Sequence, residues 1–248
     1  MKRPQILVCN DDGVHGPGLP ALVAAMRRLG RVTVCVPDQE RSADSHSLTL
    51  HKPLRARLLS PRFYALNGSP ADCARFGLLQ VLAGRADLVV SGINRGYNLG
   101  EDVIYSGTVA AAMEATLLRA PAIAFSMDPD ARDYRPAAAY ARTLAAQVLR
   151  RGLPEGVCLN VNFPVPPRGG YRGGQAARLG RRIYGTAISR RVDTRGHEYF
   201  WLAGRPVRGV DEPGTDVAVV ARGGVSVTPL KIDRTDHAAL RALSEWTL

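Results

Sequence analysis

Strand, helix and strand follow one another within the first 36 residues, and no other feature restricts the possible folds as much. Gln5 to Cys9 is a short apolar run, broken by Asn10-Asp11-Asp12-Gly13. Leu19, Leu22, Val23, Met26 and Leu29 then recur at helical spacing. Val32 to Val36 is rich in β-branched residues and stops at Pro37-Asp38, as a second strand would. Two strands separated by one helix pair in parallel, because the helix carries the chain back across the sheet.

The alternation continues. After a polar loop, Gln39 to Ser47, the runs Leu54 to Leu59 and Phe63 to Leu66 predict an antiparallel excursion split at Ser60-Pro61. Pro70 suits the first turn of a helix ending near Gly84. Asp87 to Val90 predicts a buried strand leading into a loop, Ser91-Gly92-Ile93-Asn94. Ser106-Gly107-Thr108 opens an Ala-rich helix to about Leu118, followed by a strand over Pro121 to Ser126, a helix over Pro136 to Arg150 and a strand over Val157 to Val161. Beyond Pro164 the pattern weakens: Arg168-Gly169-Gly170 and Gly173-Gly174 mark loops, and Ile183 to Ala187 with Tyr199 to Leu202 predict the arms of a projecting hairpin. Val225 to Leu230 and Ala238 to Trp246 predict a last strand and a terminal helix. The expectation is an α/β fold, a Rossmann-like and mostly parallel sheet flanked by helices, with a C-terminal hairpin extension. At 248 residues one core suffices, with residues 1–165 as the Rossmann-like part and 166–248 as the extension.

Composition removes several function classes. A hydrophobic fraction of 46% with 22% charged residues is that of a chain able to bury a core, not of a disordered or coiled-coil one. The longest stretch without Asp, Glu, Lys or Arg, residues 13–26, is too short and too rich in Gly and Pro for a membrane span. Met1-Lys2-Arg3 is followed by too brief an apolar run for a secretion signal. Cys9, Cys35, Cys73 and Cys158 form no C-x-x-C pair, so reduced core thiols and a cytoplasmic location are expected. The net charge of +11 comes from 33 basic and 22 acidic residues, and Lys stands only at 2, 52 and 231. Arg is scattered rather than clustered, which favours compositional bias over a nucleic-acid footprint, and no stable nucleic-acid partner is expected. Polyanionic substrates would still be drawn in. Trp201 and Trp246 read as packing or interface groups rather than base-stacking platforms.

Ligands of open α/β sheets bind outside the carboxyl ends of the strands. Three loops there are rich in polar groups: Asn10-Asp11-Asp12-Gly13, Arg41-Ser42 and Ser91-Gly92-Ile93-Asn94. Two adjacent carboxylates repel each other, and a hard divalent ion, Mg or Mn, relieves that repulsion through oxygen ligands. Ser42 and Asn94 offer neutral oxygens. Alternatively, the Asp-Asp-Gly is a turn whose side chains cap the following helix. Ser106-Gly107-Thr108 has the same ambiguity, between an anion site at a helix start and an ordinary N-cap. Gly96 and Gly100, around Asn98, allow close backbone approach to a ligand or serve as plain turns. A metal beside a phosphate cradle suits assisted hydrolysis. There is no P-loop, no G-x-G-x-x-G and no nucleophile elbow. His15 and His46 lie near these loops as possible proton relays or surface groups; His51, His197 and His237 have no such context. Two rival classes remain at this point. A phospho-receiver module lacks its required Lys here, and a nucleic-acid binder would use the Arg surplus.

In combination, Asn10-Asp11-Asp12-Gly13, Pro37 to Ala43, Ser45 to Leu50, Gly68 to Cys73, Ser91 to Gly100, Tyr105 to Val109, Gly214-Thr215-Asp216 and Thr228-Pro229-Leu230 resemble the SurE survival-protein nucleotidases over nearly the whole chain. The resemblance implies a metal-dependent phosphatase, of 5′-nucleotidase or acid-phosphatase-like type, acting on nucleoside 5′- and 3′-monophosphates and, in some members, on short polyphosphate. It implies one divalent ion held by Asp11, Asp12, Ser42 and Asn94, with Asp11 and Asp12 catalytic. Asn98, Ser106, Gly107 and Thr108 would line the phosphate pocket. Homodimers or homotetramers that exchange C-terminal elements are also implied. Ser69, where Thr is commoner, and the basic stretch from Arg168 to Arg182 depart from the family pattern.

Overall fold

The computed structural model describes residues 3–202 and 208–246; Met1 and Lys2 of the basic start lie outside them. The opening unit forms as its pattern predicts. β1 (Gln5–Cys9), α1 (Leu19–Arg27) and β2 (Arg31–Pro37) make a parallel pair with Ile6 opposite Val32 and Val8 opposite Val34. β3 (Ala56–Ser60) and β4 (Phe63–Leu66) are antiparallel to each other, and β4 joins β2 in parallel. α2 (Pro70–Phe76) starts on a capping box between Ser69 and Asp72. β5 (Leu88–Arg95), α3 (Gly107–Leu117), β6 (Ala122–Met127), α4 (Arg135–Arg151) and β7 (Val157–Phe163) complete the alternation.

The later part is more irregular: β8 (Gly174–Ala176), β9 (Arg182–Ile183), β10 (Ser189–Val192), β11 (Glu198–Trp201), β12 (Arg208–Gly209), α5 (Asp216–Ala221), β13 (Val225–Lys231) and α6 (His237–Leu243). The main sheet runs β3-β4-β2-β1-β5-β6-β7-β13-β8. Its six parallel strands stand in the chain order 3-2-1-4-5-6, so the winding reverses between β1 and β5 and opens a crevice there. β13 runs antiparallel to β7 and carries β8 beyond it, so the segment after Pro164 extends the same sheet.

Two expectations are corrected. β5 does not end at Val90 but continues to Arg95, because Asn94 and Arg95 pair with Ser126 and Met127 beyond an irregularity after Ser91. Gly92 permits this: a Cβ there would stand 2.3 Å from the Phe125 carbonyl oxygen. The first arm of the hairpin is Ser189–Val192 rather than Ile183 to Ala187. The turn decides the register, since Asp193 Oδ1 accepts the Arg195 and His197 amides at 2.8 and 2.9 Å. Ile183 pairs with Arg208 instead.

Alternation along the strands separates two cores. Ile6, Val8, Val90, Phe125 and Val161 pack with α1 and α4, while Leu7, Cys9, Val89, Ala124 and Cys158 pack with α2 and α3. Burying these side chains, at about 25 cal/mol per Å² of apolar area, is the main stabilising contribution. All four cysteines are free and buried. On the α3 face the apolar residues give way to polar ones toward the C-terminal ends of the parallel strands: Ser91, Ser126, Asn160 and Asn162, with Ser226 and Thr228 of β13 opposite Asn162 and Asn160. All six are at most 1% exposed.

Trp201 and Trp246 are 59% and 66% exposed, so neither packs into the interior as the sequence reading allowed. α6 buries none of its residues. Among the described residues no helix is long and apolar enough to cross a membrane.

α1 begins against β5, where a Cβ on Gly18 would lie 2.1 Å from the Ile93 carbonyl oxygen. Backbone cannot yield as a flexible side chain can, so Gly18→Ala should destabilise the fold by roughly 1–3 kcal/mol. The expected result is a lower urea midpoint with an unchanged slope; an unaltered midpoint contradicts this close packing.

Candidate active site

Asp11 and Asp12 leave β1 at the point where the winding reverses. Asp11 is 4% exposed, and its partner is the start of α3: the Thr108 amide donates to Oδ2 at 3.1 Å and the Thr108 hydroxyl donates to Oδ1. This approach requires Gly107, where a Cβ would stand 2.9 Å from the Asp11 Cβ and 2.8 Å from Pro70. The Asp11 carbonyl accepts the Arg41 amide at 2.8 Å, tying in the loop after β2. Gly13 adopts φ +75° with the Gln39 carbonyl 2.8 Å from where its Cβ would be, so the two loops are in direct contact.

Neither aspartate caps the helical turn that follows, which removes the simple-turn reading. Asp12 Oδ2 is buried with no hydrogen-bond partner among the described residues, as is Asn10 Oδ1. Burial, followed by the charge of Asp11, pushes the Asp12 carboxyl up to about 7, with the Arg95 amide and guanidinium pulling it partly back. Asp11 is also raised by burial, against the two Thr108 bonds. Neighbouring carboxylates, one buried and one half-buried, that resist joint ionisation form a set that a cation would relieve.

The other predicted residues are placed unevenly. Ser42 is exposed and lines a cleft of about 460 Å³ with Asp12, His15, Glu40 and Arg95. Its hydroxyl donates to Glu40 Oε1 at 2.7 Å rather than to either aspartate. Asn94 is half-buried beside Arg95 and donates its amide to the Gly96 carbonyl at 3.0 Å. Ser106 does cap α3, accepting the Val109 amide at 3.1 Å. Thr108 is committed to Asp11, which leaves the Gly107 amide as the donor at this helix start without a bonded partner among the described residues. Asn98 is held by groups of β6 and β7: its amide donates to Asn162 Oδ1 and its Nδ2 to Ser126 Oγ. No cluster of three or more His, Cys, Asp or Glu side chains exists among the described residues, so any metal set here must use neutral oxygens beside the two carboxylates.

Some residues of the site had no sequence reading. Arg95 and Glu40 line the cleft, and Ser126, Asn160 and Asn162 surround Asn98. His46 faces away from the cleft, bonding Glu114 Oε2 at 2.8 Å while Arg75 Nε bonds Oε1 at 2.7 Å, which pins the Ser42 loop to the middle of α3. A lone Glu in an Ala-rich helix was the available signal for that pairing. A larger groove, about 940 Å³, lies between α4 and the glycines at 169–174, but none of the candidate site residues line it.

A family model described as "Survival protein SurE" matches residues 6–186. The chain belongs to the SurE family. Among its SurE relatives, the protein named 5′-nucleotidase SurE from Geobacter sulfurreducens is 49% identical over 245 residues, covering 98% of this chain and 94% of that protein. The one from Geotalea daltonii, also named 5′-nucleotidase SurE, is 47% identical over 98% of this chain and 99% of its own length. The crystal structure of the SurE protein from Aquifex aeolicus superposes with a TM-score of 0.85 at 38% identity, covering 97% of this chain and 98% of that one.

The raised carboxyl of Asp12 gives a test free of any substrate. Its folded-state value, about 7, exceeds the roughly 3.9 of an unfolded aspartate, so stability from this group is present below pH 4 and is lost as pH rises toward 7. In EDTA, Asp12→Asn should therefore stabilise the protein at pH 8 by roughly 1–2 kcal/mol and change it little at pH 4. Thermal unfolding at the two pH values checks this; a variant less stable than wild type at pH 8 contradicts the uncompensated buried charge.

Proposed function

We propose that this SurE-family chain is a metal-dependent 5′-nucleotidase, hydrolysing nucleoside monophosphates at the crevice between β1 and β5. The observation that supports it most is the pair of buried Asp11 and half-buried Asp12, with one buried Asp12 oxygen that has no hydrogen-bond partner among the described residues, beside the start of α3. The 5′-nucleotidase name of the relatives agrees with this reading. Activity on 3′-monophosphates and short polyphosphate belongs to the same proposal.

Asp11, Asp12, Ser42 and Asn94 would hold one divalent ion, Mg or Mn, whose charge would polarise a phosphoryl oxygen and acidify water. Ser106 and the Gly107 amide would receive phosphate oxygens, and the positive end of α3 favours their charge. Thr108 fixes the Asp11 carboxylate by bonding both of its oxygens. That engagement favours attack by water over attack by Asp11, and trapping an aspartyl phosphate on Asp11 would overturn this part. Arg95, on the cleft wall, adds positive charge facing the substrate.

The reading takes residues 1–248 as one domain with an extension from 166, located in the cytoplasm. The exposed Phe200, Trp201, Leu202 and Trp246 suit contacts within a homodimer or homotetramer.

Phosphate release from a panel of 5′- and 3′-monophosphates and polyphosphate should require Mn²⁺ or Mg²⁺ and stop in EDTA. Asp11→Asn should lower kcat by about 10²-fold or more while the circular dichroism spectrum is retained. Turnover in EDTA, or an active Asp11→Asn, defeats the proposal.

A further inference from the structure

The polar layer beneath the site has an unassigned purpose. Asn160 and Asn162 lie on one face of β7 and are fully buried, where Val or Ile would cost nothing in lost hydration. They converge on a single residue. The Asn98 amide donates to Asn162 Oδ1 at 2.8 Å, and Asn162 Nδ2 donates back to the Asn98 carbonyl at 3.1 Å. One carboxamide thus takes both polar groups of the Asn98 backbone, as a neighbouring strand would. Asn160 Nδ2 donates to the same carbonyl at 2.7 Å. Asn98 Nδ2 in turn donates to Ser126 Oγ of β6 at 2.7 Å.

Four hydrogen bonds from two strands are more than a connecting loop needs, and the residue they grip is one of the phosphate-pocket candidates. We propose that Asn160, Asn162 and Ser126 are positioning residues of that pocket, fixing the Asn98 peptide and rotamer so that the second Nδ2 hydrogen stays available to a phosphate oxygen. This rests on the nucleotidase reading for what Asn98 binds. Pre-setting a donor avoids ordering it at each encounter, so the benefit appears in phosphate affinity.

The test uses the Mn²⁺-loaded full chain and titrates inorganic phosphate calorimetrically, with Mn²⁺ affinity of the metal-free chain and KM and kcat for a nucleoside 5′-monophosphate as companions. Ser126→Ala and Asn162→Ala should each weaken phosphate binding and raise KM by about five- to tenfold, with Mn²⁺ affinity held within about twofold. In an Asn98→Ala background the same changes should cost less than about twofold, because their effect passes through the side chain already removed. A merely structural role would give the same loss in both backgrounds, and that additivity overturns the proposal; so do variants that bind phosphate as wild type does, or a wild type that binds none. Where Asn162→Ala fails to fold, Ser126→Ala decides alone, since it leaves the backbone clamp in place. A wild type that binds phosphate but turns over no nucleotide defeats the nucleotidase reading, and the phosphate titration still judges the clamp.

Discussion

Placing two adjacent carboxylates, one buried and one half-buried, at the end of a central strand is costly, and much of the surrounding architecture follows from making it tolerable. The start of α3 supplies two hydrogen bonds and its positive end to Asp11. That placement needs a glycine at 107, which in turn seats the helix start beside Pro70 and the Arg41 carbonyl. Asp12 is not engaged by that helix start: the Arg95 amide and guanidinium offset its charge in part, and its Oδ2 has no hydrogen-bond partner among the described residues.

The sheet is graded along its height on the α3 side. Lower positions are apolar, as Val89, Ala124 and Cys158 show; upper ones, Ser91, Ser126 and Asn160, are polar and still dry. Asn98 reaches into this layer and supplies partners to Ser126, Asn160 and Asn162, whereas the Ser91, Ser226 and Thr228 hydroxyls and Asn160 Oδ1 find none among the described residues. The His46 and Arg75 contacts to Glu114 do comparable work on the outer side, holding the loop that carries Ser42 against α3.

Legibility in the sequence followed the range of the interactions. β1, α1 and β2 were readable because alternation and helical spacing are local, and the Asp11-Asp12 pair stood out because like charges in sequence need an explanation wherever they fold. The passage of β5 through Gly92 was not readable: it depends on a Phe125 carbonyl that only strand pairing brings near. The hairpin register was set by side-chain bonds of Asp193, which strand propensity ignores. Asn160 and Asn162 gave no local signal, since two polar residues in an apolar run look like a weak strand, and Asn98 lies more than sixty positions earlier. Metal-ligand candidates were likewise named from motifs, while the Ser42 to Glu40 bond needed coordinates.

Because β13 lies between β7 and β8, the last third of the chain is not a removable appendage. A fragment ending after Phe163 would leave Val157–Phe163 as a bare sheet margin, with the open amides and carbonyls that invite intermolecular pairing. It would also lose Asp216, whose carboxylate gathers the amides of Gly100 and Gly180 at 3.0 and 2.7 Å and so latches the loop after Asn98 to distant sequence. Shortening this protein from its C-terminus therefore trades a catalyst for an aggregation-prone remnant, and tags or fusions are better tolerated on the solvent-facing α6 than on any internal cut.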